Sequence, residues 1–70
     1  MQRQLVSSSS IRSVGYDSAA RLLEIEFQSG GTYQYFDVPE SVYRELMKAE
    51  SQGLFFHDHI RDKYQYEKIS

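Results

Sequence analysis

Residues 21–39 read Arg21-Leu-Leu-Glu-Ile-Glu-Phe-Gln-Ser-Gly-Gly-Thr-Tyr-Gln-Tyr-Phe-Asp-Val-Pro39 and have the pattern of a β-hairpin. Apolar and polar side chains alternate from Leu23 to Gln28, as in a strand with one buried face. Ser29-Gly30-Gly31 supplies the turn, since glycine tolerates the positive φ that tight hairpin turns require. The next segment, Thr32–Val38, is rich in strand-favouring residues. The sequence therefore predicts two antiparallel strands around which the rest of the chain is arranged.

The length of the Ser-Gly-Gly loop decides which face of the hairpin receives the tyrosines of the second strand. A two-residue loop places Tyr33 opposite Glu26, on the solvent face, whereas a three-residue loop places it opposite Phe27, on the core face. Tyr35 shares the face of Tyr33 in either case. We favour the three-residue loop, because a type I turn closed by a glycine bulge suits this sequence. Phe36 then points outward.

The segment before the hairpin divides into an arm and a first strand. Met1–Ser9 has little to bury and ends in serines, so it is predicted to be a flexible N-terminal arm. A first strand follows, with apolar residues at Ile11, Val14 and Tyr16. Their spacing slips once, which indicates a bulge. Asp17-Ser18-Ala19-Ala20 then forms a turn, so residues 10–70 are predicted to be one domain that begins with a three-stranded antiparallel meander.

After the hairpin, the apolar pattern becomes that of helices. Pro39 marks a helix start, because proline is favoured at the first helical position. An amphipathic stripe follows at Val42, Tyr43, Leu46, Met47 and Ala49. Gly53 is predicted to end this helix, and a second helix is predicted over Leu54–Tyr64. Tyr66–Ile69 is a candidate C-terminal extended segment. The predicted fold is α+β, a three-stranded antiparallel meander with two helices packed on one face.

Composition excludes several kinds of chemistry. The 70 residues carry eight basic and ten acidic side chains, a formal net charge of −2, whereas duplex-binding domains usually carry excess positive charge. The chain has no cysteine, hence no disulfide and no cysteine zinc site. It shows no signal peptide and no membrane-spanning run, so a cytoplasmic protein without a membrane partner is expected. A homodimer that buries more surface is an open alternative.

Neither catalysis nor metal binding is predicted. His57-Asp58-His59 is the one cluster of metal-binding side chains, but residues two apart on a helix point away from each other. The serines lack the setting of a nucleophile. Glu24 and Glu26 are predicted to keep the open face of the sheet solvated. We therefore predict a protein that is not an enzyme and has no cofactor and no metal.

Aromatic and basic side chains together suggest a binding surface. Tyrosine rings stack on single-stranded bases, which contributes about 1–3 kcal/mol per base. The candidate nucleic-acid-binding residues are Arg12, Tyr16, Tyr33, Tyr35, Arg61, Lys63, Tyr64, Tyr66 and Lys68. Because Glu24 and Glu26 occupy the face that a sheet-stacking RNA binder uses, binding is expected at a sheet edge or near the second helix. The alternative for Tyr33 and Tyr35 is a half-buried position in the core.

Several short motifs occur in an order that resembles the KTSC domain. They are Val14-Gly-Tyr-Asp17, Leu23-Glu-Ile-Glu-Phe27, Gly31-Thr-Tyr-Gln-Tyr35, Val38-Pro39, Val42-Tyr43, Ser51-Gln-Gly53, Phe56, Ile60 and Tyr64. The resemblance covers about Ser8 to Ile69. That domain is found at the carboxyl end of some lysyl-tRNA synthetases and alone in bacterial and phage-related proteins. Its central Tyr-x-Tyr is matched here by Tyr33 and Tyr35, and the resemblance implies RNA binding. Where the family often has an aromatic residue, Phe and Asn, this chain has Phe55-Phe56-His57.

Two hypotheses for the function follow. The first is a small module that binds RNA or another single-stranded nucleic acid through tyrosines and the basic residues near the termini. The second is a protein-interaction or self-associating module that uses an apolar surface around Phe36 or Leu54-Phe55. Binding to nucleic acid should weaken steeply as salt concentration rises, whereas an apolar interface should not respond in this way.

Overall fold

The computed structural model describes residues 1–70 and has an α+β fold. The strands and helices are β1 (Arg3–Leu5), β2 (Ile11–Asp17), β3 (Leu22–Phe27), β4 (Thr32–Tyr35), α1 (Glu40–Lys48), α2 (Gln52–His59) and β5 (Tyr66–Lys68). The five strands form one antiparallel sheet in the order β1-β2-β3-β4-β5. The α+β class and the two helices are confirmed, whereas the predicted three strands are fewer than the five observed.

The β3–β4 hairpin has the predicted loop length but a different pairing. Its three-residue loop consists of residues 28–30, and Gly30 closes it with a φ of 111°. Tyr33 lies opposite Ile25, whereas the sequence predicts Phe27 as its partner. The glycine with positive φ thus comes one residue earlier than expected. The observed partner of Tyr33 is two residues away along β3 from the predicted one, and a shift of two residues keeps a side chain on the same face of the sheet. Tyr33 therefore lies on the predicted side of the sheet.

The predicted bulge and turn both occur in and after β2. The register of β2 against β3 shifts between Ile11 and Ser13. This shift allows Ile11 and Val14 both to be buried, because one additional residue restores the inward direction. In the turn that follows, the Asp17 carboxylate accepts hydrogen bonds from the backbone N–H groups two and three residues further on.

Strand β1 lies in the segment for which the sequence predicts a flexible arm. It pairs antiparallel with β2, with Gln4 opposite Val14. In the connection to β2, the Ser8 hydroxyl accepts two backbone N–H groups. All residues of β1 are exposed, so it forms through main-chain pairing. An edge strand of this kind has no apolar alternation, and the prediction of an arm was wrong at these residues.

Strand β5 confirms the candidate C-terminal extended segment. It pairs with β4 so that Tyr66 lies opposite Tyr35. The chain reaches β5 through a turn after α2 in which Asp62 has a φ of 64°. The predicted second helix is therefore too long, since α2 ends at His59 and the chain turns back towards the sheet.

Gly53 does not end the first helix, as the sequence predicts, but lies in the first turn of α2. Helix α1 ends at Lys48, and the Ser51 hydroxyl caps α2 by accepting the Leu54 N–H. A Cβ at residue 53 would lie 3.0 Å from the Ser10 hydroxyl oxygen. Glycine here permits a close approach of α2 to the β1–β2 connection. Neither α1 nor α2 has the length and the apolar character of a membrane-spanning helix.

The core lies between one face of the sheet and the two helices. Its buried apolar residues are Ile11, Val14, Leu23, Ile25, Tyr35, Val38, Leu46, Phe56 and Ile60. The ring of Tyr16 stacks on that of Tyr43 in α1, with centroids 4.8 Å apart. The Tyr16 hydroxyl also donates a hydrogen bond to the Val38 carbonyl. These contacts fix α1 against β2 and leave the end of α2 beside strands β4 and β5.

Candidate nucleic-acid interface

An open groove lies between the end of α2 and the strands β4 and β5. Its volume is about 360 Å³, and it is lined by Phe27, Ser29, Tyr33, Tyr35, Phe56, Arg61, Asp62 and Tyr66. We call it the tyrosine groove, after Tyr33, Tyr35 and Tyr66. Five of its eight lining side chains are aromatic. The groove lies at a sheet edge and near the second helix, where the sequence predicts any nucleic-acid site.

Strand pairing brings the three tyrosines together. Tyr35 lies directly opposite Tyr66, and Tyr33 lies opposite Lys68, so these side chains project from the same face of the sheet. The Tyr66 ring centroid is 5.7 Å from that of Tyr35 and 5.9 Å from that of Tyr33. The ring centroids of Tyr33 and Tyr35 are 6.5 Å apart, and the ring planes are inclined by 29° to each other. The result is a contiguous aromatic surface with Lys68 on the strand beside it.

Two phenylalanines support these tyrosines from the core side. The ring of Phe56, in α2, meets that of Tyr35 edge to face at 5.4 Å. Phe27, in β3, meets Tyr33 edge to face at 5.6 Å and Phe56 at 5.2 Å. Edge-to-face contacts of this kind stabilise by about 0.5–1.5 kcal/mol beyond the area they bury. The tyrosine groove is therefore built on the hydrophobic core, and Phe27 and Phe56 pack against Tyr33 and Tyr35.

The three tyrosines differ in exposure. Tyr35 is only 5% exposed, Tyr33 is half-buried, and Tyr66 is 58% exposed. Burial raises the pKa of the Tyr35 hydroxyl to about 12, and the neighbouring Tyr33 and Tyr66 act in the same direction. The Arg61 guanidinium opposes this rise in pKa, whereas the Asp62 carboxylate adds to it. Tyr35 is thus a structural member of the groove, and Tyr66 offers most of the accessible ring surface.

The charged side chains of the groove follow α2. After the helix ends, the Arg61 N–H still donates to the Phe56 carbonyl at 2.8 Å, which holds Arg61 beside the aromatic rings. The Arg61 guanidinium also lies 3.5 Å from the ring nitrogen Nδ1 of His57. Asp62 comes next, in the turn with positive φ. The groove therefore carries a cation and an anion side by side at its helical end.

The structure brings together about half of the predicted site residues. Tyr33, Tyr35, Arg61 and Tyr66 line the groove, and Lys68 is paired with Tyr33 at its rim. Lys63 is exposed in the turn after α2 but is not among the lining residues. Tyr64 is half-buried and packs against the core.

Two other predicted residues lie away from the groove. The Tyr16 hydroxyl is engaged with Val38 and its ring with Tyr43; partial burial raises the pKa of Tyr16. Arg12 lies 3.8 Å from the Glu26 carboxylate. Its guanidinium belongs to the sheet face that the helices leave uncovered. Both residues lie in β2, which β3 separates from the β4–β5 edge, so the structure does not bring them together with Tyr33.

The uncovered face of the sheet is polar and internally paired. Glu24 forms a salt bridge with Arg3 at 2.9 Å and accepts a hydrogen bond from the Gln34 amide at 3.0 Å. Glu26 accepts a hydrogen bond from the Ser13 hydroxyl at 2.9 Å. The carboxylates of β3 make this face unfavourable for phosphate groups.

The histidine cluster does not converge. The His59 ring packs on that of Phe55 at 4.6 Å, whereas His57 faces Arg61. No group of three or more His, Cys, Asp or Glu side chains is placed to hold a metal ion.

Sequence reasoning missed four residues that line the groove, Phe27, Ser29, Phe56 and Asp62. Ser29 was assigned only to the hairpin turn. Phe27 was placed on the core face of its strand and Phe56 within the second helix. Such patterns show which side of an element is buried, but they do not show that the edge of a buried ring reaches the surface. Asp62 was not considered. Aspartate is one of the few residues that accept a left-handed backbone conformation, and that property was the available signal for a turn at this position.

Comparison with known proteins identifies relatives of the whole chain. A family model described as the KTSC domain matches residues 7–64. An uncharacterised protein from Stutzerimonas stutzeri is 41% identical over 70 residues, which is 99% of this chain and 99% of that protein. The crystal structure of a KTSC domain protein from Yersinia pestis is 51% identical, with a TM-score of 0.96 over 99% of this chain and 97% of that chain.

Other relatives are much longer. A lysine–tRNA ligase from Trichormus variabilis is 44% identical over 60 residues, which is 86% of this chain and 11% of the ligase. The chain therefore spans about a tenth of the length of the ligase that it matches. The similarity covers one segment of that enzyme.

Proposed function

This chain belongs to the KTSC domain family, and we propose that it binds single-stranded RNA in the tyrosine groove. The observation that carries the proposal is the position of Tyr66, which is 58% exposed and lies against two further tyrosine rings. An exposed aromatic ring that lies beside rings packed on the core offers a surface on which a base can stack. Stacking of this kind contributes about 1–3 kcal/mol per base.

The charges around the groove fit this ligand. Arg61 and Lys68 flank the rings, so a strand whose bases stack on Tyr66 would find cations for its phosphates. The protein as a whole carries a net charge of −2, and tight binding to duplexes is therefore disfavoured. A single strand with unstacked bases gains from the aromatic rings in a way that a duplex does not.

The relatives support RNA as the ligand class. A segment 44% identical to this chain occurs in a lysine–tRNA ligase, an enzyme whose substrate is an RNA. The groove residues are contributed by the segment that the family model covers, except for Tyr66, which lies just beyond residue 64. We propose the same ligand class for this chain.

The proposal is tested by fluorescence anisotropy with a labelled single-stranded RNA of mixed sequence, measured over a range of salt concentrations. We expect binding at low salt and a linear fall of log affinity with log salt, with a slope of about −0.7 for each phosphate contact on a single strand. A duplex RNA of the same length serves as the comparison and should bind more weakly. Equal binding of the two RNAs, or no binding at low salt, contradicts the proposal.

A second candidate function is protein binding or self-association. Leu54 is 64% exposed and Phe36 is 37% exposed, which leaves apolar side chains in contact with water away from the groove. Complexes that use these residues would be insensitive to salt. Sedimentation at several protein concentrations distinguishes this function, because self-association appears in the absence of RNA.

A further inference from the structure

Asp62 is an unexpected residue for a groove that receives RNA. Its side chain lines the tyrosine groove beside Arg61, where a carboxylate repels phosphates. It takes part in none of the salt bridges of the protein. The negative charge of Asp62 is therefore not used to hold the fold together through an ion pair.

The turn itself does not need a carboxylate. Asp62 adopts a φ of 64°, and asparagine or glycine adopts this conformation as readily. The turn is closed by the backbone, since the Lys63 N–H donates to the Ile60 carbonyl at 3.0 Å. What aspartate adds to this position is two acceptor oxygens at the end of an aromatic groove.

A carboxylate in such a place selects among bases. It can only accept hydrogen bonds, so it favours a base edge with donors. Guanine presents two neighbouring donors on its Watson–Crick edge, N1–H and the N2 amino group, and these match the two oxygens of one carboxylate. Cytosine and adenine offer one amino group, next to an acceptor that a carboxylate repels, and uracil offers a single N–H between two carbonyls.

We propose that the tyrosine groove prefers guanine, with the base on Tyr66 and its Watson–Crick edge at the Asp62 carboxylate. This inference rests on the proposed binding of single-stranded RNA and adds the identity of the base. Arg61, the neighbour of Asp62, then contacts the backbone phosphate of the same nucleotide. In this arrangement Asp62 recognises the base, and Arg61 binds the phosphate.

The test uses short oligouridine RNAs that carry one guanosine, adenosine or cytidine at the same internal position, with oligouridine as the reference. We expect the guanosine RNA to bind about tenfold more tightly than the reference, within the discrimination that bidentate base contacts provide. Asp62→Asn keeps the left-handed turn and removes the charge. This variant should lose most of the preference for guanosine while binding oligouridine at least as tightly as the unmodified protein does.

Asp37→Asn is the matched control, because Asp37 also has a positive φ, of 58°, and is not among the residues that line the groove. It should keep the preference for guanosine. Equal affinity of all four RNAs overturns the guanine preference and leaves RNA binding standing. An Asp62→Asn variant that binds all four RNAs more tightly by the same factor also overturns it, since Asp62 would then only repel. Absence of binding by every RNA at low salt overturns both proposals.

Discussion

The rings of Tyr35 and Tyr66 lie 5.7 Å apart, although both helices separate these residues along the chain. The two are directly paired across β4 and β5. Tyr35 is 5% exposed and Tyr66 is 58% exposed, so one ring belongs to the core and the other to the surface. The tyrosine groove therefore exists only when the C-terminal strand has returned to the sheet.

Removing the Tyr66 ring should weaken RNA binding without unfolding the domain. Tyr66→Ala deletes a side chain that is 58% exposed, so the cost in stability is small, while the stacking energy of about 1–3 kcal/mol per base is lost. We expect affinity for single-stranded RNA to fall about five- to a hundredfold in an anisotropy titration. Phe36→Ala, which removes an exposed ring outside the groove, is the control. Equal losses in the two variants would contradict a role for the groove.

Neutralising Arg61 should change the salt dependence of binding. Arg61→Gln removes one cation at the groove, so the slope of log affinity against log salt should become shallower by about 0.7. Arg44→Gln is the matched control, because Arg44 lies on α1 and pairs with Glu40 at 3.0 Å. Its slope should equal that of the unmodified protein. The same slope in Arg61→Gln and the unmodified protein would show that Arg61 contacts no phosphate.

The largely buried side chain of Tyr35 should make the protein sensitive to alkali. Burial raises the pKa of Tyr35 from its ordinary value of 10.0 to about 12, so the folded state holds this proton more tightly than the unfolded state. The resulting stability is fully present below pH 10 and is lost as the pH rises towards 12. The Tyr35→Phe variant lacks the ionisable group. Between pH 10 and pH 12 its free energy of unfolding should therefore fall by about 1–2 kcal/mol less than that of the unmodified protein. Urea denaturation at several alkaline pH values measures this difference, and parallel curves for the two proteins would contradict it.

Two leucines should differ sharply in their contribution to stability. Leu46 is fully buried in α1, and truncation to alanine should lower the free energy of unfolding by about 2–5 kcal/mol. Leu54 is 64% exposed in α2, so Leu54→Ala should change it by no more than about 0.5 kcal/mol. Chemical denaturation compares the variants. A large loss in Leu54→Ala would reveal that this side chain is covered, as the self-association hypothesis requires.

Much of the fold was predictable because it rests on local patterns. The alternation before Gly30, the bulge after Ile11 and the stripe that contains Leu46 are each read within a few residues. The sequence could not show that Tyr33 pairs with Ile25 and not with Phe27, because either glycine of Gly30-Gly31 can adopt the positive φ that closes the turn. Strand β1 carries no buried side chain, and so it leaves no hydrophobic pattern in the sequence.

The candidate site was predictable only in part, since it depends on where β5 returns. Tyr33 and Tyr35 share a strand face by periodicity alone. The place of Tyr66 beside Tyr35 requires the pairing of β4 with β5, which no local signal specifies. The positions of Arg12 and Tyr16 in the sequence likewise do not show that they lie away from the groove. The strand order shows it, because β3 lies between β2 and β4.

The most direct test of the account is a ¹H–¹⁵N NMR titration of the protein with a short single-stranded RNA at low salt, repeated at high salt. We predict amide shifts that concentrate at Tyr33, Arg61, Tyr66 and Lys68 and diminish as the salt concentration rises. The amides of β1 and of Glu24 and Glu26, across the sheet, should remain unchanged. A spectrum that does not respond at low salt, or shifts confined to the uncovered face of the sheet, would contradict RNA binding in the tyrosine groove.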